Sequence, residues 1–309
     1  MRYPMPDVEQ ITLSTLVTWA KKTARFDRQE YQQTHRALTA TRLLRTVIPN
    51  LHTPVFIIGA PRSGTTFLGK CLGSLPEISY HNEPVATKAA ARYVYEDHWG
   101  HFRAGVFYRA VYAWLMRLHA DGDLRFAEKT PRNCFLVQFL HDTFPTAQFI
   151  HIIRDGRDAA LSYSQKPWLQ AAQTTQNQRE PGGYRFGPYP RFWVEPDRHL
   201  EFQTTSDIHR CIWAWRRHVE SALAVARQLP TPQYCEIRYE TLVSQPQAVG
   251  QTLLTFLNIT QPDSTEQLLS RLSTARTDSV GRWQSQLTSE QLEDIQQEAS
   301  NLLTALGYL

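Results

Sequence analysis

The chain contains two stretches suited to holding an anion and two ionisable residues placed to move charge beside them. In Pro54-Val55-Phe56-Ile57-Ile58-Gly59-Ala60-Pro61-Arg62-Ser63-Gly64-Thr65-Thr66-Phe67-Leu68, an apolar β-branched run breaks into a Gly/Pro/Ser loop and resumes as helix-competent residues. The loop fits the phosphate-loop pattern G-x-x-x-x-G-K-[ST] at Gly59, Gly64 and Thr66, with Thr65 where the lysine belongs. Glycines let successive N–H groups turn inward, and the following helix start adds partial positive charge, so an anion binds without a special side chain. The missing lysine is the one that bridges the β- and γ-phosphates of a triphosphate. Arg62 is the only cation within the loop, and Ser63, Thr65 and Thr66 supply hydroxyls. That set suits an anion other than a triphosphate with its magnesium.

The second stretch is Ala147-Gln148-Phe149-Ile150-His151-Ile152-Ile153-Arg154-Asp155-Gly156-Arg157-Asp158-Ala159-Ala160-Leu161-Ser162. A strand ending at Arg154, a turn and a helix return Ser162 toward the strand end, where a guanidinium fork and a hydroxyl can share one phosphate. Arg-Asp-Gly-Arg-Asp is also readable as a turn with local salt bridges. Two phosphate-type motifs at two strand ends favour a ligand with two separated phosphate-like groups. Glu83 follows Ile78-Ser79-Tyr80-His81-Asn82, a segment whose turn residues place it near the strand mouths, where α/β sheets bind ligands. It is either a base for a hydroxyl proton, if burial raises its pKa, or a helix-start carboxylate stabilising the dipole. Lys129 closes Arg125-Phe126-Ala127-Glu128-Lys129, a short strand running into a helix that starts at Pro131. There it is either a surface lysine or a cation that offsets charge developing in a transition state.

These residues need strands to carry them and helices between the strands. The pattern predicts helices after the first loop to about residue 74, over 85–120, over 201–228 up to Pro230, over 246–257 and 265–272, and over 288–306. A further strand is expected at Tyr234-Cys235-Glu236-Ile237-Arg238-Tyr239. Residues 8–47 carry an amphipathic pattern of one or two helices that pack on the domain or on a second copy of the chain, which leaves a homodimer open. Residues 164–200 crowd Pro, Gly and aromatics together and read as a binding insert or lid, whose rings either stack on an acceptor or pin the loop down.

A chain of 309 residues with 42% hydrophobic residues fits one large α/β domain or a domain with a helical annex, and its composition argues against disorder. A formal charge of +4 from 33 dispersed basic residues does not mark a nucleic-acid binder. Cys71, Cys134, Cys211 and Cys235 have no metal-binding spacing and read as reduced thiols, which favours a cytoplasmic setting. No stretch approaches the roughly 18 apolar residues of a transmembrane helix.

Pro61-Arg62-Ser63-Gly64-Thr65-Thr66-Phe67-Leu68 resembles the 5′-phosphosulfate loop of sulfotransferases that use 3′-phosphoadenosine 5′-phosphosulfate (PAPS). Arg154 with Ser162 is similar to the family's 3′-phosphate site, and Glu128-Lys129-Thr130-Pro131 to another of its recurring segments. Arg238-Tyr239-Glu240-Thr241-Leu242-Val243 resembles the segment whose tyrosine lies against the adenine. Ser279-Val280-Gly281-Arg282-Trp283 resembles the loop that folds over the nucleotide, with Ser279, Gly281 and Arg282 as contacts. The resemblance implies a three-layer P-loop-like domain with a mostly parallel central sheet and helical additions at both termini. It spans residues 54–283, leaving the extension at 1–50 and the insert at 164–200 outside. It implies sulfuryl transfer to a hydroxyl of a carbohydrate, lipid or small molecule, with Glu83 as base and Lys129 and Arg62 offsetting charge. No metal is expected, because no carboxylate stands beside Thr66. An ATP-dependent small-molecule kinase and a non-catalytic nucleotide-binding protein of the same fold are the alternatives.

Overall fold

The structure is a computed structural model that describes residues 9, 11, 12, 14–21 and 39–309. Five strands form a fully parallel sheet in the order β2-β3-β1-β4-β5. They are β1 (Val55–Ile58), β2 (Ile78–Asn82), β3 (Arg125–Lys129), β4 (Gln148–Ile153) and β5 (Tyr234–Arg238). All four residues of β1 are buried, as a central parallel strand covered on both faces requires.

Alternation along β1 sends its side chains to two cores. Phe56 and Ile58 pack with Tyr112, Phe126 and Phe149 under the helix His101–Leu118. Val55 and Ile57 pack with Ile150 and Ile152 under the helices Thr65–Leu72, Pro246–Leu257 and Pro262–Leu272. A third core joins the helices Asp207–Ala226 and Ser289–Ala305 to the insert, whose Tyr184, Phe192 and Trp193 are buried against Phe135 and Trp213. Those three insert aromatics therefore pin the loop down. The rest of the insert is short 3-10 turns and a single bridge between Arg179 and Arg185.

The register aligns every candidate site at one edge of the sheet. Ile57 stands opposite Lys129, Asn82 opposite Lys129 on the other side, and Ile153 opposite Arg238. The loops after β1, β2, β3, β4 and β5 consequently open at the same carboxyl end. The chain leaves β1 toward β3 and β2 on one side and reaches β4 and β5 on the other, so the switch point lies beside the loop after β1.

Three local expectations change. The helical stretch expected over 85–120 is two helices, Val85–Tyr95 and His101–Leu118, the second preceded by Gly100 at φ 68°. Residues 78–82 form the edge strand β2 rather than a turn-rich segment, because Ser79 and His81 are buried although polar. The helix expected over 201–228 is two helices, His199–Thr204 and Asp207–Ala226. Ser206 starts the second by accepting a hydrogen bond from the His209 N–H at 3.1 Å. Thr288 and Gln291 form a reciprocal capping box on the last helix. At the N-terminal end, residues 14–21 and Ala40–Val47 are helical, and the remainder of the 8–47 expectation lies outside the described residues. The four cysteines are free and buried. No helix among the described residues is long and apolar enough to cross a membrane.

Candidate active site

The helix Thr65–Leu72 starts at Gly64, whose φ of 90° lies in the left-handed region, and no side chain caps it. A Cβ on Gly64 would stand 2.4 Å from Tyr239 Cδ2, so the loop lies directly on that ring. Arg62 also adopts a left-handed backbone, φ 69°, an uncommon conformation for a residue with a side chain. Ser63 is fully buried, and its Oγ has no hydrogen-bond partner among the described residues. Thr65 is buried and Thr66 exposed.

Arg62, Ser162, Arg154, Tyr239 and Ser279 form one connected group around this loop. Arg62 Nε donates to Ser162 Oγ at 3.1 Å. Arg154 Nη1 donates to the Arg62 carbonyl at 2.9 Å, and its Nη2 donates to the Ser279 carbonyl. The Arg154 guanidinium lies over the Tyr239 ring, whose hydroxyl meets Ser279 Oγ at 2.7 Å. Partial burial and the charge of Arg154 both push the pKa of Arg62 down, as expected for two guanidinium groups facing one site. Arg282 does not join the group; its Nη2 donates to Gln286 Oε1 on the next helix turn. Gly281 contributes through its backbone, with a left-handed φ of 75° and an N–H bonded to Asp158.

The carboxylate of Asp158 is a component with no motif of its own. It is buried on the helix Gly156–Ser164 and accepts the N–H groups of Gly281 at 2.7 Å and Trp283 at 3.0 Å. Arg157 stacks on Trp283 with its guanidinium carbon 3.8 Å from the ring centroid. Asp155 caps the same helix by accepting the Arg157 N–H.

Next to this group, across the β1–β3 pairing, stands Glu83 with two lysines. Its N–H donates to the Lys129 carbonyl at 2.8 Å, continuing the β2–β3 ladder, and its backbone turns left-handed at φ 50°. Lys129 Nζ donates to Glu83 Oε1, and Lys88 Nζ donates to Glu83 Oε2 at 2.5 Å. Burial alone would raise the Glu83 carboxyl, but Lys88 and Lys129 outweigh it and hold the pKa at about 2. The condition under which the sequence made Glu83 a strong base, a pKa raised by burial, is therefore not met. Burial also pushes Lys129 down, against the pull of Glu83. Lys88 carries no motif, and its only signal is a position one turn into the helix Val85–Tyr95 that Pro84 introduces.

The turn after Lys129 is fixed from below. Glu128 is fully buried and accepts from Tyr112 Oη at 3.0 Å, Thr130 Oγ1 at 2.8 Å and Asn133 Nδ2. Arg132 then donates to the Lys88 carbonyl at 2.8 Å and to Glu180 Oε2 at 2.9 Å. Arg191 donates to Glu180 Oε1 at 2.6 Å, so the insert is tied to the same turn.

The arrangement offers an uncapped helix start, a glycine-lined cradle, and a buried Ser63 hydroxyl and an Arg154 Nε that have no partner among the described residues. These are donors without acceptors, and they fit a ligand bearing phosphate or sulfate groups. The carboxylate and lysine pair beside them can take a proton and offset negative charge.

A family model described as "Sulfotransferase family" matches residues 54–263. Protein-tyrosine sulfotransferase A of Caenorhabditis elegans is 23% identical over 237 residues, 70% of this chain and 53% of that protein. Nodulation protein NoeE of Sinorhizobium fredii is 29% identical over 125 residues, 35% of this chain and 30% of that protein. The chain thus spans about half, or less, of these relatives' length. Among solved structures, sulfotransferase STF9 from Mycobacterium avium superposes with a TM-score of 0.52 at 13% identity, covering 95% of this chain and 84% of that one. That likeness concerns the fold.

Proposed function

The chain belongs to the sulfotransferase family, and from that premise we propose that it transfers a sulfuryl group from PAPS to an acceptor hydroxyl on a carbohydrate, lipid or small molecule. The observation that carries this reading is the convergence of Arg62, Ser162, Arg154, Tyr239 and Ser279 beside the uncapped helix start, adjoining the Glu83–Lys129 pair. When bound, the donor supplies an activated sulfuryl group and a bisphosphate leaving group.

In this reading Arg62, Ser63, Gly64, Thr65 and Thr66 hold the 5′-phosphosulfate through backbone N–H groups, hydroxyls and one guanidinium. Arg154 and Ser162 hold the 3′-phosphate, Tyr239 lies against the adenine, and the loop of Ser279, Gly281 and Arg282 closes over the nucleotide. For Arg282 this requires its side chain to leave Gln286. Glu83 accepts the acceptor proton as the new S–O bond forms. Lys129 and Arg62 offset negative charge on the sulfuryl and bridging oxygens, so positioning and electrostatics do most of the work. The four free, buried cysteines support a cytoplasmic setting.

The test is incubation with sulfur-labelled PAPS, a chelator and a panel of hydroxyl-bearing acceptors, read by mass spectrometry. Sulfated product without added magnesium supports the reading. Magnesium-dependent phosphate transfer from ATP would replace it with a kinase. Tight binding of adenosine 3′,5′-bisphosphate with no turnover would make the chain a non-catalytic nucleotide binder.

A further inference from the structure

Glu83 has two carboxylate oxygens, and both are taken: Oε1 by Lys129 and Oε2 by Lys88. Each oxygen keeps a second lone pair, but with an ammonium group on both the carboxylate is held at its weakest as a base, and a hydroxyl that takes over one lysine's place meets a stronger one. The two are not equivalent. The Lys129 side chain is 2% exposed, enclosed at the end of β3, whereas that of Lys88 is 22% exposed on the helix Val85–Tyr95. Lys88 can swing its ammonium into water on a flexible four-carbon stem, and Lys129 cannot.

We propose that Lys88 is a gate on the Glu83 carboxylate: it holds Oε2, and the acceptor hydroxyl displaces it from there. The inference rests on the sulfuryl-transfer reading. Lys129 stays on Oε1 and orients the carboxylate. The acceptor O–H takes the Lys88 place at Oε2 and gives its proton to that oxygen. The acceptor oxygen then bonds to sulfur as the bond from sulfur to the bridging phosphate oxygen breaks, and the bisphosphate departs with the electron pair. Lys88 is thus a positioning residue, acting through Glu83.

The charged groups around this carboxylate and its two lysines are Lys129 and Glu128 on β3, Lys88 on the helix Val85–Tyr95, and, facing Lys88, Glu180 on the insert with Arg132 on the turn after β3. Arg132 and Arg191 already hold Glu180, so Glu180 does not compete for Lys88 in the closed state. When Lys88 leaves, Glu83 loses one of its two cations and becomes a stronger base at the moment the hydroxyl arrives. The gate therefore keeps Glu83 charged and paired until an acceptor is present.

Substituting Lys88→Met tests this. Arg132 binds the backbone carbonyl of Lys88 and not its side chain, so that tether survives the change. Three results are expected of Lys88→Met. The acceptor KM falls several-fold, the affinity for adenosine 3′,5′-bisphosphate stays at the wild-type value, and the acid limb of the kcat/KM profile moves up by about 1 to 3 pH units. Lys88→Arg restores the wild-type limb, and Lys88→Gln reproduces the Met result should the Met variant fold poorly. Independently of turnover, the 13C signal of the Glu83 carboxyl, assigned by its absence in Glu83→Gln, titrates at higher pH in Lys88→Met than in wild type. An acceptor KM that does not fall would overturn the gate, and an unmoved carboxyl titration and acid limb would overturn the pairing on which it rests. Absence of sulfuryl transfer by the wild-type protein would overturn the proposed function instead, and the carboxyl titration would still read whether Lys88 pairs with Glu83.

Discussion

Arg154 stands over the ring of Tyr239, its guanidinium carbon 4.8 Å from the ring centroid, and from there ties the loop after β1 to the loop at Ser279. A single side chain links three segments that are remote in sequence. Arg154→Ala removes two hydrogen bonds from a cation, each worth about 1.5–3 kcal/mol, along with the stacking contact. Calorimetric titration should show affinity for adenosine 3′,5′-bisphosphate reduced at least about tenfold. Arg154→Lys keeps the charge but not the planar fork, and should recover only part of the loss. Unchanged affinity in the alanine variant would remove Arg154 from the nucleotide site.

Gly64 is the position at which the loop admits no side chain. With φ at 90° and Tyr239 Cδ2 2.4 Å from a built Cβ, Gly64→Ala forces either the ring or the loop to move. The left-handed backbone alone costs about 1–2 kcal/mol for a residue with a Cβ, and the displaced ring adds to it. Thermal unfolding should show a lower Tm, and bisphosphate binding should fall below detection by calorimetry. A variant with wild-type Tm and affinity would show that the loop does not need the close approach to Tyr239.

Glu83→Gln separates chemistry from binding. Removing a general base costs about 10²- to 10⁴-fold in rate, so kcat should fall within that range while bisphosphate affinity holds. The same substitution has a signature in stability. The folded pKa of about 2 lies below the ordinary 4.5. A depressed carboxyl stabilises the fold above the ordinary value, and that contribution is lost as pH falls from 4.5 toward 2. Urea unfolding across that window should therefore show a steeper loss in wild type than in Glu83→Gln. Parallel curves would mean the lysine pairs do not persist in solution.

What the sequence revealed and what it hid divide along physical lines. The placement of Gly59, Gly64, Arg154 and Ser162 at strand ends and helix starts was legible because each belongs to a strand-loop-helix unit whose geometry is set by neighbours in the chain. Strand β2 was obscured because buried Ser79 and His81 gave it a polar pattern. The break at Ser206 was hidden by apolar spacing that runs from one helix into the next. Lys88 was not legible, since no motif marks it although it stands close to Glu83 in sequence, and only the β2–β3 register brings Lys129 to the same carboxylate. Nor was the direction of the Glu83 pKa: burial could be guessed, whereas two cations arriving from different elements could not.

Asp158 is the clearest case of a role written only in three dimensions, since it reaches the Gly281 N–H across 123 residues. Its buried carboxylate accepts two N–H groups of the loop that also carries Ser279, and it lies 3.9 Å from Arg154 Nη2. Asp158→Ala leaves Arg154, Tyr239 and the loop after β1 in place but unfastens the loop at Gly281 and Trp283. The freed N–H groups can turn to water once the loop lifts, so the global cost should be small and Tm should drop by only a few degrees. The local cost is the closed state of the loop, held by two bonds to a charged acceptor worth about 1.5–3 kcal/mol each. Trypsin should then cut faster after Arg276 and Arg282, and bisphosphate affinity should weaken about tenfold or more. Adding the bisphosphate should slow that cleavage again in both proteins, at higher ligand concentration for the variant. If cleavage and affinity both match wild type, the Arg157–Trp283 stack and the Arg154 bond to Ser279 hold the loop without Asp158, and the carboxylate serves only its own helix.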